Sequence, residues 1–176
     1  MKKIITCVAM AALFLAACNN KSTSTASTAD SAMMKVEKNK EAALNANNAF
    51  IKGDIEGSFK DYSKDFVDYG DGSTKPMKNI DSMKMNNKAF LAAFPDLKVE
   101  NMHAVGSGDT VIVTGTWSGT FKKELMKIKP TGKSYKAVDA DIFIFNKDGK
   151  IISHANIQSL ATYFYQLGIP MPPKKK

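Results

Sequence analysis

The sequence predicts a single α+β domain, and three observations carry that prediction. Between residues 34 and 95 the apolar positions recur at helical spacings, with glycine, aspartate or proline at the segment ends. After Pro95 the period falls to two. The stretch 137–158, AVDADIFIFNKDGKIISHANIQ, then joins alternation to a turn signal and several ionisable side chains. Helices first, an antiparallel meander after them and a short closing helix make an α+β layout.

In chain order, Val36, Ala43, Leu44, Phe50 and Ile51 mark one face of a helix over residues 34–52, which Gly53 ends. Asp54 can cap a second short helix in which Ile55, Phe59 and Tyr62 fall together, followed by a brief extended segment, 66–69. A polar loop, 70–74, leads to a third helix that Asp81 can cap. Its Met83, Phe90, Leu91 and Phe94 share a face until Pro95 stops it.

The first long strand alternates Leu97, Val99, Asn101, His103 and Val105 against Lys98, Glu100 and Met102. Gly106, Ser107, Gly108 and Asp109 turn it into a second, with Val111, Val113, Trp117 and Phe121 facing one way and a row of threonines the other. A loop, 122–134, connects to the hairpin. There Asn146, Lys147, Asp148 and Gly149 supply the turn. If the loop closes with an even number of residues, Asp141 faces His154, Asp139 faces Asn156 and Phe143 faces Ile152, all on one side of the sheet. The opposite side carries Val138, Ala140, Ile142 and Ile144 against Ile151, Ser153, Ala155 and Ile157. An odd loop separates Asp141 from His154. Ser159 can cap a closing helix that Gly168 and Pro170 end.

The N-terminus is not part of this domain. Lys2 and Lys3 precede an apolar run, 4–17, too short to span a bilayer and placed where an export signal belongs. Leu15, Ala16, Ala17 and Cys18 resemble the lipobox of bacterial lipoproteins, which implies cleavage before Cys18 and lipid on that residue. Asn19, where an inner-membrane retention signal has aspartate, favours the outer membrane of a bacterial envelope, facing the periplasm. The expected organisation is a signal peptide, 1–17, a flexible tether, 18–33, the domain, 34–170, and a basic tail, 171–176. The tether is rich in Ser, Thr and Ala and reaches roughly 20 Å as a coil. Once Cys7 leaves and Cys18 carries lipid, the chain has no free thiol, which suits an oxidising compartment.

The formal charge of +8 comes entirely from lysine against acid. Without arginine the chain lacks the planar fork that reads phosphate and guanine, so no nucleic-acid role is expected. No phosphate loop or dinucleotide glycine motif is present. With His103 and His154 far apart and no thiol, no metal site is expected, and Met77, Met83 and Met85 read as packing and surface residues rather than a copper(I) site.

Five motifs stand in family order: Phe94, Pro95, Asp96 and Leu97; Pro130, Thr131, Gly132 and Lys133; Asp141, Ile142 and Phe143; Asp148, Gly149, Lys150 and Ile151; and Gln166, Leu167 and Gly168. Together they resemble the SnoaL-like polyketide cyclases of the nuclear transport factor 2-like superfamily, over residues 35–168. The resemblance implies a cone: a strongly curved antiparallel sheet packed on N-terminal helices, with an apolar pocket at its mouth and dimers formed through the sheet. It also implies ring closure by aldol condensation without a cofactor, with an aspartate near the end of the last strand as acid and base. This chain departs from the pattern there. Asn156 and Ser159 stand at positions that commonly hold aspartate, and neither takes a proton at neutral pH; Ile144 replaces a common arginine.

The expected function is therefore binding of a small, largely apolar ligand, with no cofactor, by a lipid-anchored homodimer. An alternative is a cofactor-independent cyclase, isomerase or hydrolase in which Asp141 orients His154 and the other imidazole nitrogen serves as base. A further alternative is a dimeric interaction module with a vestigial pocket. Tyr69, Asp68, His103, Trp117, Asp139, Phe143, Asn156 and Gln158 are the expected pocket residues. An open cavity containing Asp141 and His154 favours catalysis, and a filled one favours the interaction module.

Overall fold

The computed structural model describes residues 22–72 and 75–171. The expected signal peptide, Cys18, loop residues 73–74 and the terminal lysines lie outside the described residues. Helix α1 spans Ser22–Ile51 and so takes in residues 22–33, where a flexible tether is expected. That tract has no glycine or proline to stop a helix propagating back from the packed turns. The buried face of α1 carries Asn39, Ala43, Ala46 and Asn47.

Gly53 takes φ 80° and ends α1. The Asp54 carboxylate then accepts the Gly57 N–H at 2.8 Å to cap α2, Ile55–Ser58. This helix is a single turn, because Tyr62 already opens strand β1, Tyr62–Asp68. Phe59, Tyr62 and Phe66 pack in series, tilted and then edge-on, at ring separations of 4.7 and 4.5 Å. Helix α3, Ile80–Ala93, ends before Pro95 as expected, but its cap is Asn79, which accepts the Ser82 N–H at 2.8 Å; Asp81 sits in the first turn.

Strands β2 (Lys98–Ser107), β3 (Thr110–Thr120), β4 (Ser134–Phe145) and β5 (Ile151–Ile157) form the antiparallel meander, and helix α4, Leu160–Leu167, closes the chain. Strand β1 adds to the far edge in parallel with β5, giving the order β1-β5-β4-β3-β2 in one curved sheet. The Ser159 hydroxyl caps α4 by accepting the Thr162 N–H, and Gly168 ends it at φ 67°.

Two irregularities decide which residues face inward. In β2 a bulge lies between Glu100 and His103, with Asn101 at φ 56°; it turns Met102 and Ala104 inward and puts His103 on the outer face beside Thr114. In the β4–β5 hairpin the loop 146–150 is odd, yet a bulge at Ile152 restores the parity. Asp141 therefore stands opposite Asn156, and Phe143 opposite His154, each pair shifted from its expected partner but still on the expected face. Ile151 faces inward and is fully buried.

The inner face of the sheet packs in two clusters. One is built on Ala43, Phe66, Val111, Val113, Phe143, Phe145 and Ile151, the other on Phe94, Trp117, Phe121, Tyr135, Tyr163 and Leu167. The outer face carries Ile112, Ile142 and Ile144 part-buried, with Val105, Val138 and Ile157 exposed.

Candidate functional site

Between the clusters the helices do not fill the sheet's concave face, and an open cavity of about 470 Å³ remains. Phe50 of α1, Phe59, Phe66, Phe90 of α3, Trp117 and Leu125 form apolar walls. Asp139 and Asp141 from β4, His154 and Asn156 from β5, and Asp68 from β1 gather at one end, joined by Asn47 of α1 and Tyr163 of α4. Strand pairing explains the gathering: Asp68 is in register with His154, and Asp141 with Asn156, all on the inner face.

His154 sits between two carboxylates. Its Nδ1 is 3.0 Å from Asp68 Oδ1 and its Nε2 3.2 Å from Asp141 Oδ1. Two acceptors on one ring require both nitrogens to donate, which only the imidazolium does. Burial pushes the imidazole pKa down, but hydrogen bonds and charges from Asp141 and Asp68 outweigh it and raise the value to about 9. Burial works against ionised Asp141 and Asp68 too. It is overcome at Asp141 by His154, Asn156 and Asn47, and at Asp68 by His154 and the Gly70 N–H, so both carboxyls lie below their ordinary range.

Asn47 Nδ2 donates to Asp141 Oδ2 at 2.7 Å, and Asn156 Nδ2 donates at 2.9 Å to both Asp141 Oδ1 and Asp139 Oδ1. The Tyr163 hydroxyl donates to Asp139 Oδ2 at 3.3 Å. Asp139 thus has only neutral donors. Burial, reinforced by the charge of Asp141, raises its pKa to about 6 despite those bonds. Among the described residues the buried Asn156 amide oxygen has no hydrogen-bond partner. Burial and the neighbouring carboxylates also push the Tyr62, Tyr135 and Tyr163 phenols upward, keeping them protonated. Among the described residues no group of three histidine, cysteine or acidic side chains is arranged to hold a metal ion.

The structure brings together Asp68, Trp117, Asp139, Asp141, His154, Asn156 and Gln158 on the cavity wall. Three expected pocket residues fall elsewhere. His103 is exposed on the outer face because of the β2 bulge. Tyr69 lies past the end of β1, where its N–H donates to the His154 carbonyl. Phe143 is fully buried beneath the site, its ring 5.0 Å from the imidazole. Sequence reasoning missed Asn47 and Tyr163. Asn47 had a signal: an amide on the same helical stripe as Ala43 and Phe50 must find a partner when buried.

A family model for SnoaL-like polyketide cyclases matches residues 40–167. The chain belongs to that family. Among solved structures, AclR from Streptomyces galilaeus, a proposed hydroxylase, is 27% identical with a TM-score of 0.65, the alignment covering 79% of this chain and 87% of AclR. A SnoaL-like protein from Jannaschia sp. CCS1 gives 20% identity and a TM-score of 0.67 over 77% of this chain and 95% of its own. IdmH from Streptomyces antibioticus, a proposed polyketide cyclase, gives 24% and 0.61 over 74% and 98%. A search of the curated proteins found no match. These neighbours bear out the expected nuclear transport factor 2-like cone. In this SnoaL-like chain Asn156 is a donor bridging two aspartates, and Ser159 is a helix cap.

Proposed function

We propose that this protein binds a small, largely apolar molecule in the cone cavity, with the molecule's polar group against the end lined by Asp139, Asp141 and Asn156. The observation that carries this reading is an open cavity walled largely by aromatic side chains, with a hydrogen-bonded cluster of polar groups set into it, the arrangement that buries a ligand's apolar body and orients it by a few hydrogen bonds. Lipid on Cys18 would hold the domain at a bacterial envelope membrane, and the apolar outer face of the sheet would pair two copies.

The test is titration of the purified chain with the apolar fluorophore N-phenyl-1-naphthylamine. Asn87→Trp on α3 projects bulk from the cavity wall and is expected to weaken binding at least tenfold with the circular dichroism spectrum unchanged. Undiminished binding sinks the cavity assignment. Cys18→Ser is expected to release the protein from the membrane fraction, and retention there sinks the lipid anchor.

A second reading, a cofactor-independent cyclase, isomerase or hydrolase, is favoured by the presence of His154 and Asp141 inside the open cavity. The imidazole nitrogen expected to face the ligand is, however, bonded to Asp68.

A further inference from the structure

We propose that the cavity is selective for cations: its ligand is an organic ammonium ion, a protonated primary or secondary amine on an apolar body, paired with Asp139. The inference rests on the binding reading above and names the polar group of the bound molecule.

The chain is basic overall, with 25 basic side chains and a formal charge of +8, yet among the described residues no lysine lines the cavity. The charged groups on its wall are Asp68, Asp139, Asp141 and His154. The imidazolium lies between Asp68 and Asp141, so Asp139 has no cation of its own. With Asp139 ionised, three carboxylates stand against one imidazolium, and the wall carries an excess of negative charge. Lys84, whose ammonium lies 5.8 Å from the centroid of the Phe59 ring, is itself paired with Glu56. A cleft lined by one sign of charge attracts ligands of the other sign and repels its own.

Hydrogen-bonding capacity points the same way. Asp139 accepts one N–H from Asn156 and the O–H of Tyr163, which leaves lone pairs on both of its oxygens. Both amide hydrogens of Asn156 go to Asp139 and Asp141, so this neighbour has no donor left for a ligand. A carbonyl or carboxylate placed against Asp139 adds acceptors to acceptors. An ammonium group brings N–H donors and the missing positive charge together.

The aromatic walls favour the same ion. Phe50, Phe90 and Trp117 line the cavity, and a ring face attracts a cation within about 6 Å. Tyr135 and Tyr163, with rings 4.5 Å apart, line it beside Asp139. Rings also cover an apolar body, which an inorganic cation lacks, and among the described residues no ligand set for a metal ion is present.

Asp139 faces Asp141 and Tyr135 on its own strand, Asn156 on β5 and Tyr163 on α4, while His154 on β5 is turned to Asp68 and Asp141. Between pH 5 and 7 the phenols stay protonated, the imidazole stays charged and Asp68 and Asp141 stay ionised. Asp139, with its pKa raised to about 6, is the group that titrates there.

The experiment is displacement of N-phenyl-1-naphthylamine from the purified chain by three molecules of one shape and different charge: 2-aminotetralin, 2-tetralol and tetralin-2-carboxylate. At pH 7 the amine is expected to bind about tenfold or more tightly than the alcohol, and the carboxylate more weakly than either. Asp139→Asn, checked for an unchanged circular dichroism spectrum, is expected to bring the amine-to-alcohol ratio down to about threefold or less. A second readout needs no variant: between pH 7 and 5 the amine's affinity for wild type should fall roughly tenfold as Asp139 takes up a proton, with no such fall for 2-tetralol. An alcohol or carboxylate that binds as tightly as the amine overturns the proposal, and so does an amine affinity equal at pH 5 and 7. Undiminished selectivity in Asp139→Asn overturns it as well. Each of these outcomes leaves the binding reading standing, because the fluorophore is still bound, whereas a chain that does not bind the fluorophore overturns both.

Discussion

His154 is the residue on which the charge balance of the cavity turns. As an imidazolium it compensates two carboxylates that burial would otherwise penalise. Its folded-state pKa of about 9 lies above the unfolded value of about 6.5, so its stabilisation is complete below pH 6.5 and is lost as pH rises toward 9. Asp68 and Asp141 behave oppositely: their folded pKa values are depressed, so their contribution is lost as pH falls through the acid range. Urea unfolding should therefore show stability falling between pH 6.5 and 9, by on the order of 3 kcal/mol from this group. His154→Gln should flatten that slope and cost roughly 3–5 kcal/mol at pH 6, because buried Asp141 and half-buried Asp68 are left without their cation. An unchanged slope in the variant would show that the imidazole is neutral in the folded protein.

The elements are aligned by local irregularities more than by propensity. Gly115 in β3 illustrates this, because a Cβ there would lie 2.7 Å from Val99 Cγ1, on the strand that bulges just beyond. Gly115→Ala is expected to destabilise by about 1–3 kcal/mol through overpacking, read as a drop in the thermal midpoint, and Val99→Ala in the same chain should restore most of the loss. If the double variant is less stable than the sum of the singles, the contact is not the cause. The hairpin bulge at Ile152 acts on a larger scale. With a five-residue loop and no bulge, His154 would face away from Asp141, and the cavity would lose its only cation among the described lining residues.

At the scale of the whole molecule, the proposed dimer uses the side of the sheet that the cavity does not. Val138 is 74% exposed there, beside part-buried Ile142 and Ile144. A stable interface needs about 800 Å² from each partner. Val138→Lys is expected to shift the protein from dimer to monomer in sedimentation velocity with the fold unchanged. A monomeric wild type would remove the dimer from the functional reading.

The sequence by itself determined the fold class, the order of the elements and which hairpin residues share a face, because period, caps and turn residues are local and each narrows the choices of its neighbours, whereas which of the two faces turns inward was left to the packing of the sheet. The five motifs reached the family by the same route. Only the tertiary structure decided the partners. Parallel pairing of β1 with β5 brings Asp68 to His154, and α1 brings Asn47 to Asp141, both across long separations that no local pattern encodes. The two bulges likewise follow from fitting strands of fixed length around a curved sheet, which is why His103 lies outside and Asp141 meets His154 diagonally. Local chemistry names the candidate side chains; the closure of the sheet decides which of their lone pairs remain free.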